Sequence, residues 1–114
     1  MKAKTIRFIE ENKIIAICRG IYGESLVNLV TALYEGGIRL VEVTFDQGDK
    51  DCLKKTSEAI KLLTSSFDGR VKIGAGTVVT VEQVHEAKKA GAEYIIAPNV
   101  NKDVIQEANK LDMV

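Results

Sequence analysis

Glu42 stands between Val41 and Val43 inside an apolar run from Leu40 to Phe45. A carboxylate in such a run loses its hydration unless it is partnered or faces a cavity, and lost hydration raises its pKa toward values useful for general acid-base work. The alternative is a structural ion pair with Arg39 or with a cation from a neighbouring strand. Three further run ends carry polar residues that an apolar core does not need: Cys18-Arg19-Gly20, Gly74-Ala75-Gly76-Thr77 and Ala97-Pro98-Asn99. Arg19 offers a planar fork of donors suited to a carboxylate or phosphate, or else a salt bridge to Glu42 or a rim glutamate. The stretch Gly74-Ala75-Gly76-Thr77 lets backbone come close to a ligand, and Thr77 adds a hydroxyl just before the helix that starts near Thr80, although glycines in a strand can also only relieve packing. Arginine, glutamate, threonine and asparagine meet at one mouth if these runs are strands of one parallel sheet.

The elements that would position them follow a repeating grammar. The runs Ile14 to Cys18, Leu40 to Phe45, Val71 to Ala75 and Tyr94 to Ala97 are too short for helices and rich in β-branched residues, so they read as buried parallel strands. Between them lie segments of helical period. Leu26, Leu29, Val30 and Leu33 end at Gly36-Gly37; Leu53, Ile60 and Leu63 end at Asp68-Gly69; Val81, Val84 and Ala87 end at Gly91; Val104, Ile105, Ala108 and Leu111 follow. Thr80 with Gln83, and Asn101, supply helix caps. The stretches Leu33 to Val41 and Ala87 to Ile95 repeat one pattern of helix end, glycine and new strand. Pro98 sits harmlessly at a strand end, and Met113-Val114 opens a fifth strand. The expectation is one α/β domain over residues 1–114, with an N-terminal helix over 1–12. It forms the N-terminal part of a (β/α)8 TIM barrel, namely the first four βα units and the start of strand 5. A whole barrel takes about 250 residues, whereas an open doubly wound, flavodoxin-like sheet fits the present length.

Composition narrows the ligand. The 114 residues are 46% hydrophobic and carry 16 basic and 16 acidic side chains, a formal charge of zero, so no field draws nucleic acid or an anionic membrane. A small solute is the expected partner. Cys18 and Cys52 form no CxxC pair and suit a reducing cytoplasm; Cys18 reads as core packing. Residues 1–13 lack a continuous apolar region, and no later stretch approaches the roughly 20 apolar residues of a membrane span. His85 reads as a surface bystander on a helix. Asp46, Asp49 and Asp51 precede a helix whose positive N-terminus they would serve, and no metal is expected there.

Glu42-Val43-Thr44-Phe45 after a Gly-Gly helix stop, Ile73-Gly74-Ala75-Gly76-Thr77-Val78, and Ile96-Ala97-Pro98-Asn99 together resemble the N-terminal half of the keto-deoxy-phosphogluconate and keto-hydroxyglutarate aldolase family. The resemblance runs in unbroken order from about Lys13 to Val114. It implies a class I aldolase on a (β/α)8 barrel, often a homotrimer, in which a strand lysine forms a Schiff base with the keto acid. Neither metal nor cofactor is implied, because the iminium is the electron sink. By position Glu42 matches the general acid-base glutamate, which in the family shuttles protons through water, Thr77 the threonine at the pyruvyl carboxylate, and Arg19 a basic residue at the end of the first strand. Gly76, Pro98 and Asn99 complete the implied substrate-binding set. Some members carry an arginine four residues after the glutamate; Asp46 stands there instead. The family's lysine belongs to a sixth strand, beyond Val114. Lys72 lies near the amino end of its strand, the helical lysines point elsewhere, and Lys50 and Lys102 are solvated, so these 114 residues alone are expected to be inactive. The remaining alternatives are another phosphate-binding barrel enzyme and a non-catalytic half-barrel module.

Overall fold

In the computed structural model, which describes residues 2–114, runs and periodic segments become α1 (Lys2–Asn12), β1 (Ile15–Cys18), α2 (Gly23–Glu35), β2 (Leu40–Thr44), α3 (Cys52–Phe67), β3 (Lys72–Gly76), α4 (Val81–Ala90) and α5 (Lys102–Lys110). The strands are parallel and in chain order, β1-β2-β3, with Ile17 opposite Glu42 and Glu42 opposite Gly74. β3 begins one residue later than the apolar run, because the first rung on β2 is the bond from Lys72 N–H to Arg39 O. The fourth run is shorter than the expected Tyr94 to Ala97. It meets β3 at a single bridge, Ala75 to Ile95, flanked by bonds from Ala75 N–H to Tyr94 O and from Ile96 N–H to Ala75 O. Pro98 has no N–H to extend this ladder, and on the far side of the run Val114 O accepts from Ile95 N–H while Val114 N–H donates to Glu93 O.

Side-chain alternation divides the sheet into two faces. Val41, Val43 and Phe45 join Cys18, Ile73 and Ala75 in a core with Leu26, Val30, Ile60, Leu63, Val84 and Val104 from the helices. Successive helices pack side by side on this face, α2 on α3, α3 on α4 and α4 on α5. The other face carries Ile15, Ile17, Leu40, Glu42, Thr44, Gly74 and Gly76, and it is partly open: Ile17 is 62% exposed. α1 lies at the amino ends of the strands, where the Phe8 ring is 5.1 Å from Lys72 Nζ and Lys2 reaches Asn109 and Asp112.

Local chemistry sets the helix limits. The Thr80 hydroxyl accepts from Gln83 N–H and the Gln83 side chain accepts from Val79 N–H, so α4 starts with reciprocal capping. The Asn101 amide oxygen accepts from Asp103 and Val104 N–H at the start of α5. α4 stops at Gly91, whose φ of 106° is left-handed, and the next N–H turns back to Ala87 O.

Candidate active site

Glu42 projects from the open face of β2, yet only 4% of its surface is exposed. Its Oε2 is buried with no hydrogen-bond partner. With Ile15, Ile17 and Ile96 it lines a cavity of about 140 Å³. Burial pushes the carboxyl above its ordinary value of 4.5, and the Arg19 guanidinium pulls it partly back. The charge is felt by its neighbours: burial first, and then Glu42, raises both the Cys18 thiol and the Tyr94 phenol. Arg39 does not serve as its ion-pair partner. That guanidinium stacks 4.0 Å above the Tyr34 ring and donates to Tyr34 O and Ile38 O.

The two glycines of β3 are clearings for side chains from other strands. A Cβ at Gly74 would stand 2.2 Å from Tyr94 Cε2, because the ring lies across this residue so that its hydroxyl can donate to Val41 O at 2.7 Å. At Gly74, then, a tyrosine occupies the space, which is the packing use that a strand glycine also allows. A Cβ at Gly76 would stand 2.8 Å from Glu42 Cδ and 2.9 Å from Thr44 Cγ2. Gly76 thus belongs with Glu42 and Thr44. The Thr44 hydroxyl is also buried without a partner. Sequence reasoning singled out Glu42 but not Thr44 or Tyr94; the signal for Thr44 was its spacing of two from Glu42, which puts both on one face of β2.

Thr77, directly after Gly76, has a φ of 55°, a left-handed conformation that costs a β-branched residue more than most. An amide relay fixes it. Gln47 Nε2 donates to Thr77 O at 2.8 Å, and Gln47 Oε1 accepts from Gln83 Nε2 at 2.9 Å, so the loop after β2 is tied to the loop after β3 and to the first turn of α4. Gln47 escaped notice in the sequence because its partners are far along the chain. Arg19 is exposed and acts on Glu42 through space. Pro98 and Asn99 lie exposed in the bend beyond Ile96, and the cavity walls include neither them nor Thr77.

Two carboxylates of the acidic loop have local partners, whereas Asp51, at the N-cap of α3, makes no side-chain capping bond. Asp46 accepts from Gly48 N–H, and Asp49 accepts from Asp51 N–H and pairs with Lys55 at 2.6 Å. His85 lies exposed on α4, away from the strand ends, with its Nε2 3.0 Å from Glu107 of α5. Lys72 pairs with Glu93 at 2.8 Å, at the amino end of β3. Lys50 and Lys102 are exposed.

The family model described as KDPG and KHG aldolase matches residues 5–114. The 2-dehydro-3-deoxy-phosphogluconate aldolase of Treponema pallidum is 40% identical over 82 residues, which is 72% of this chain and 36% of the relative. A structure of native KDPGal superposes with a TM-score of 0.75 at 29% identity, covering 88% of this chain and 46% of that one. KDPG aldolase from Legionella pneumophila, with pyruvate captured as a covalent carbinolamine intermediate, gives 0.69 at 33% identity over 84% of this chain and 43% of that one. The chain spans less than half the length of the curated relatives it matches.

Proposed function

The chain belongs to the KDPG and KHG aldolase family, and from that premise we propose that it supplies the acid-base half of a class I aldolase. The substrate is 2-keto-3-deoxy-6-phosphogluconate or 4-hydroxy-2-oxoglutarate, and the products are pyruvate with glyceraldehyde 3-phosphate or glyoxylate. Residues 1–114 form the first four βα units of a (β/α)8 barrel, as one domain opening with the helix α1. The nucleophilic lysine lies outside them. The complete protein is a cytoplasmic homo-oligomer, a trimer by family resemblance. No described helix is long and apolar enough to cross a membrane.

Strand order supports the barrel: β1, β2, β3 and the Ile95 bridge add in one direction, whereas a doubly wound sheet reverses direction at a switch point. The observation that carries the functional reading is the buried carboxyl of Glu42, unpartnered at Oε2 beside a cavity on the open face of the sheet. A carboxyl raised by desolvation is better suited to take a proton from substrate as a base and return it as an acid. The electron pair released by carbon-carbon cleavage goes into the iminium formed by the lysine, so on this reading no metal or organic cofactor is required. Arg19, in attractive range of Glu42, also attracts the anionic keto acid, and by the family resemblance Gly76, Thr77, Pro98 and Asn99 border the part of the substrate that extends beyond the cavity Glu42 lines.

The test uses the complete protein. Borohydride reduction in the presence of pyruvate is expected to leave one lysine heavier by the reduced adduct, and 2-keto-3-deoxy-6-phosphogluconate is expected to release pyruvate. In Glu42→Gln, turnover falls by about 10²- to 10⁴-fold. Absence of both adduct and cleavage at saturating ligand removes the reading.

A further inference from the structure

We propose that Thr44 is a positioning residue of this site: its hydroxyl and Oε2 of Glu42 together hold the water molecule through which Glu42 exchanges a proton with the ligand. This rests on the aldolase reading above. Thr44 is 1% exposed and its Oγ1 has no hydrogen-bond partner, the same condition as Oε2 of Glu42. These are the two buried side-chain polar atoms without partners among the described residues, and they belong to side chains on one face of one strand. Both side chains flank Gly76, Thr44 through its methyl Cγ2 and Glu42 through Cδ and Oε1, which leaves Oγ1 and Oε2 as the atoms turned away from that glycine contact. A hydroxyl can donate or accept and a carboxylate accepts, so one water between them satisfies both.

Other threonines of the chain show that this hydroxyl is exceptional. Thr31 donates to Val27 O, Thr56 to Thr44 O and Thr64 to Ile60 O, while Thr80 caps α4. The Thr44 backbone is held by the Thr56 hydroxyl at 3.0 Å, so the residue needs no side-chain bond to keep its place. Valine has the same shape and occupies the neighbouring positions 41 and 43 of this strand. A buried hydroxyl without a partner lowers stability relative to that valine, which points to a ligand-bound state in which the hydroxyl is used.

The proton balance is simple. A C–H proton of the iminium-linked pyruvate passes to a lone pair of the water, and the water's own proton passes to Oε2 of Glu42. The electron pair of the broken C–H bond moves into the iminium and gives the enamine. Thr44 donates a hydrogen bond to the water throughout and ends with its own proton.

Exchange of pyruvate methyl protons with D2O, followed by NMR on the complete protein, reads this step. Thr44→Val is expected to exchange about 10- to 100-fold more slowly at saturating pyruvate, while Thr44→Ser stays within about threefold of the parent. The pyruvate concentration that half-saturates borohydride trapping changes little in either, and Thr44→Val melts at the parental temperature or above it. Parental exchange in Thr44→Val, failure of serine to rescue, or a lowered melting temperature for the valine variant would overturn the role of Thr44 while leaving the aldolase reading intact. A parent protein that neither traps nor exchanges pyruvate removes that reading, and this inference with it.

Discussion

A buried acid with one unpartnered oxygen couples stability to pH, and the sign can be worked out for Glu42. Its folded-state pKa lies above the ordinary 4.5, chiefly through desolvation, so the protonated form is favoured by folding. Its stabilising contribution is complete below pH 4.5 and is lost as pH rises through the raised folded value. Glu42→Gln cannot ionise. The difference in melting temperature between this variant and the parent should shift in favour of the variant between pH 4 and pH 7, by about 4 °C or more for each kcal/mol. A difference independent of pH over that range would show that the carboxyl is not desolvated as described. In an Arg19→Gln background the favourable shift should continue to higher pH, because the guanidinium that holds the carboxyl down is gone. This carboxyl was legible in the sequence, since a charged residue between two valines contradicts its surroundings. Thr44 was not, because threonine is at home in any strand and only coordinates reveal that its hydroxyl is unmet.

The two glycines of β3 make room for different neighbours, a rigid ring at Gly74 and the side chains of Glu42 and Thr44 at Gly76. At Gly74 the neighbour is the ring of Tyr94, 1% exposed and anchored to Val41 O, so it cannot yield. Gly74→Ala should therefore cost about 1–3 kcal/mol in denaturant unfolding. Combined with Tyr94→Ala it should cost less than the sum of the single changes by about 1 kcal/mol, the shared clash having been removed. At Gly76 the neighbours are the ends of Glu42 and Thr44, which can move. Gly76→Ala should unfold near the parental midpoint yet cut proton exchange at pyruvate by about tenfold or more in the complete protein, since a displaced carboxyl loses reach. Equal stability losses at both glycines would mean that the carboxyl is as rigidly held as the ring. Strand and helix positions were readable from period and caps because those signals are local, as Thr80 and Asn101 confirm. The partners of these glycines were not readable, for Tyr94 reaches back 53 residues and Gln47 reaches forward 36 to Gln83. The shortened fourth strand has the same origin, since its length is set by whatever lies beside it.

Across the 114 residues, charge is balanced at 16 basic and 16 acidic groups, so they set up no net field and any anionic ligand would have to be attracted locally. The same balance governs the lysines. Lys55 pairs with Asp49, Lys72 with Glu93, Lys89 with Glu86 and Lys110 with Glu107. A carboxylate partner favours the ammonium form, and the Asp49 hydrogen bond is the main cause that raises Lys55, whereas imine formation needs a neutral amine in a dry pocket. The cavity beside Glu42 has walls of Ile15, Ile17 and Ile96. On the proposed reading Glu42 is the acid-base group of this face, and among the described residues no lysine lines the cavity beside it. Residues 1–114 prepared as a separate chain should give no borohydride-trapped pyruvate adduct at neutral pH by mass spectrometry, under conditions where the complete protein gives one. An adduct on Lys72, or on any lysine of the separate chain, formed at the rate seen in the complete protein, would place the nucleophile inside these residues and break the division between a proton-transferring half and an imine-forming half.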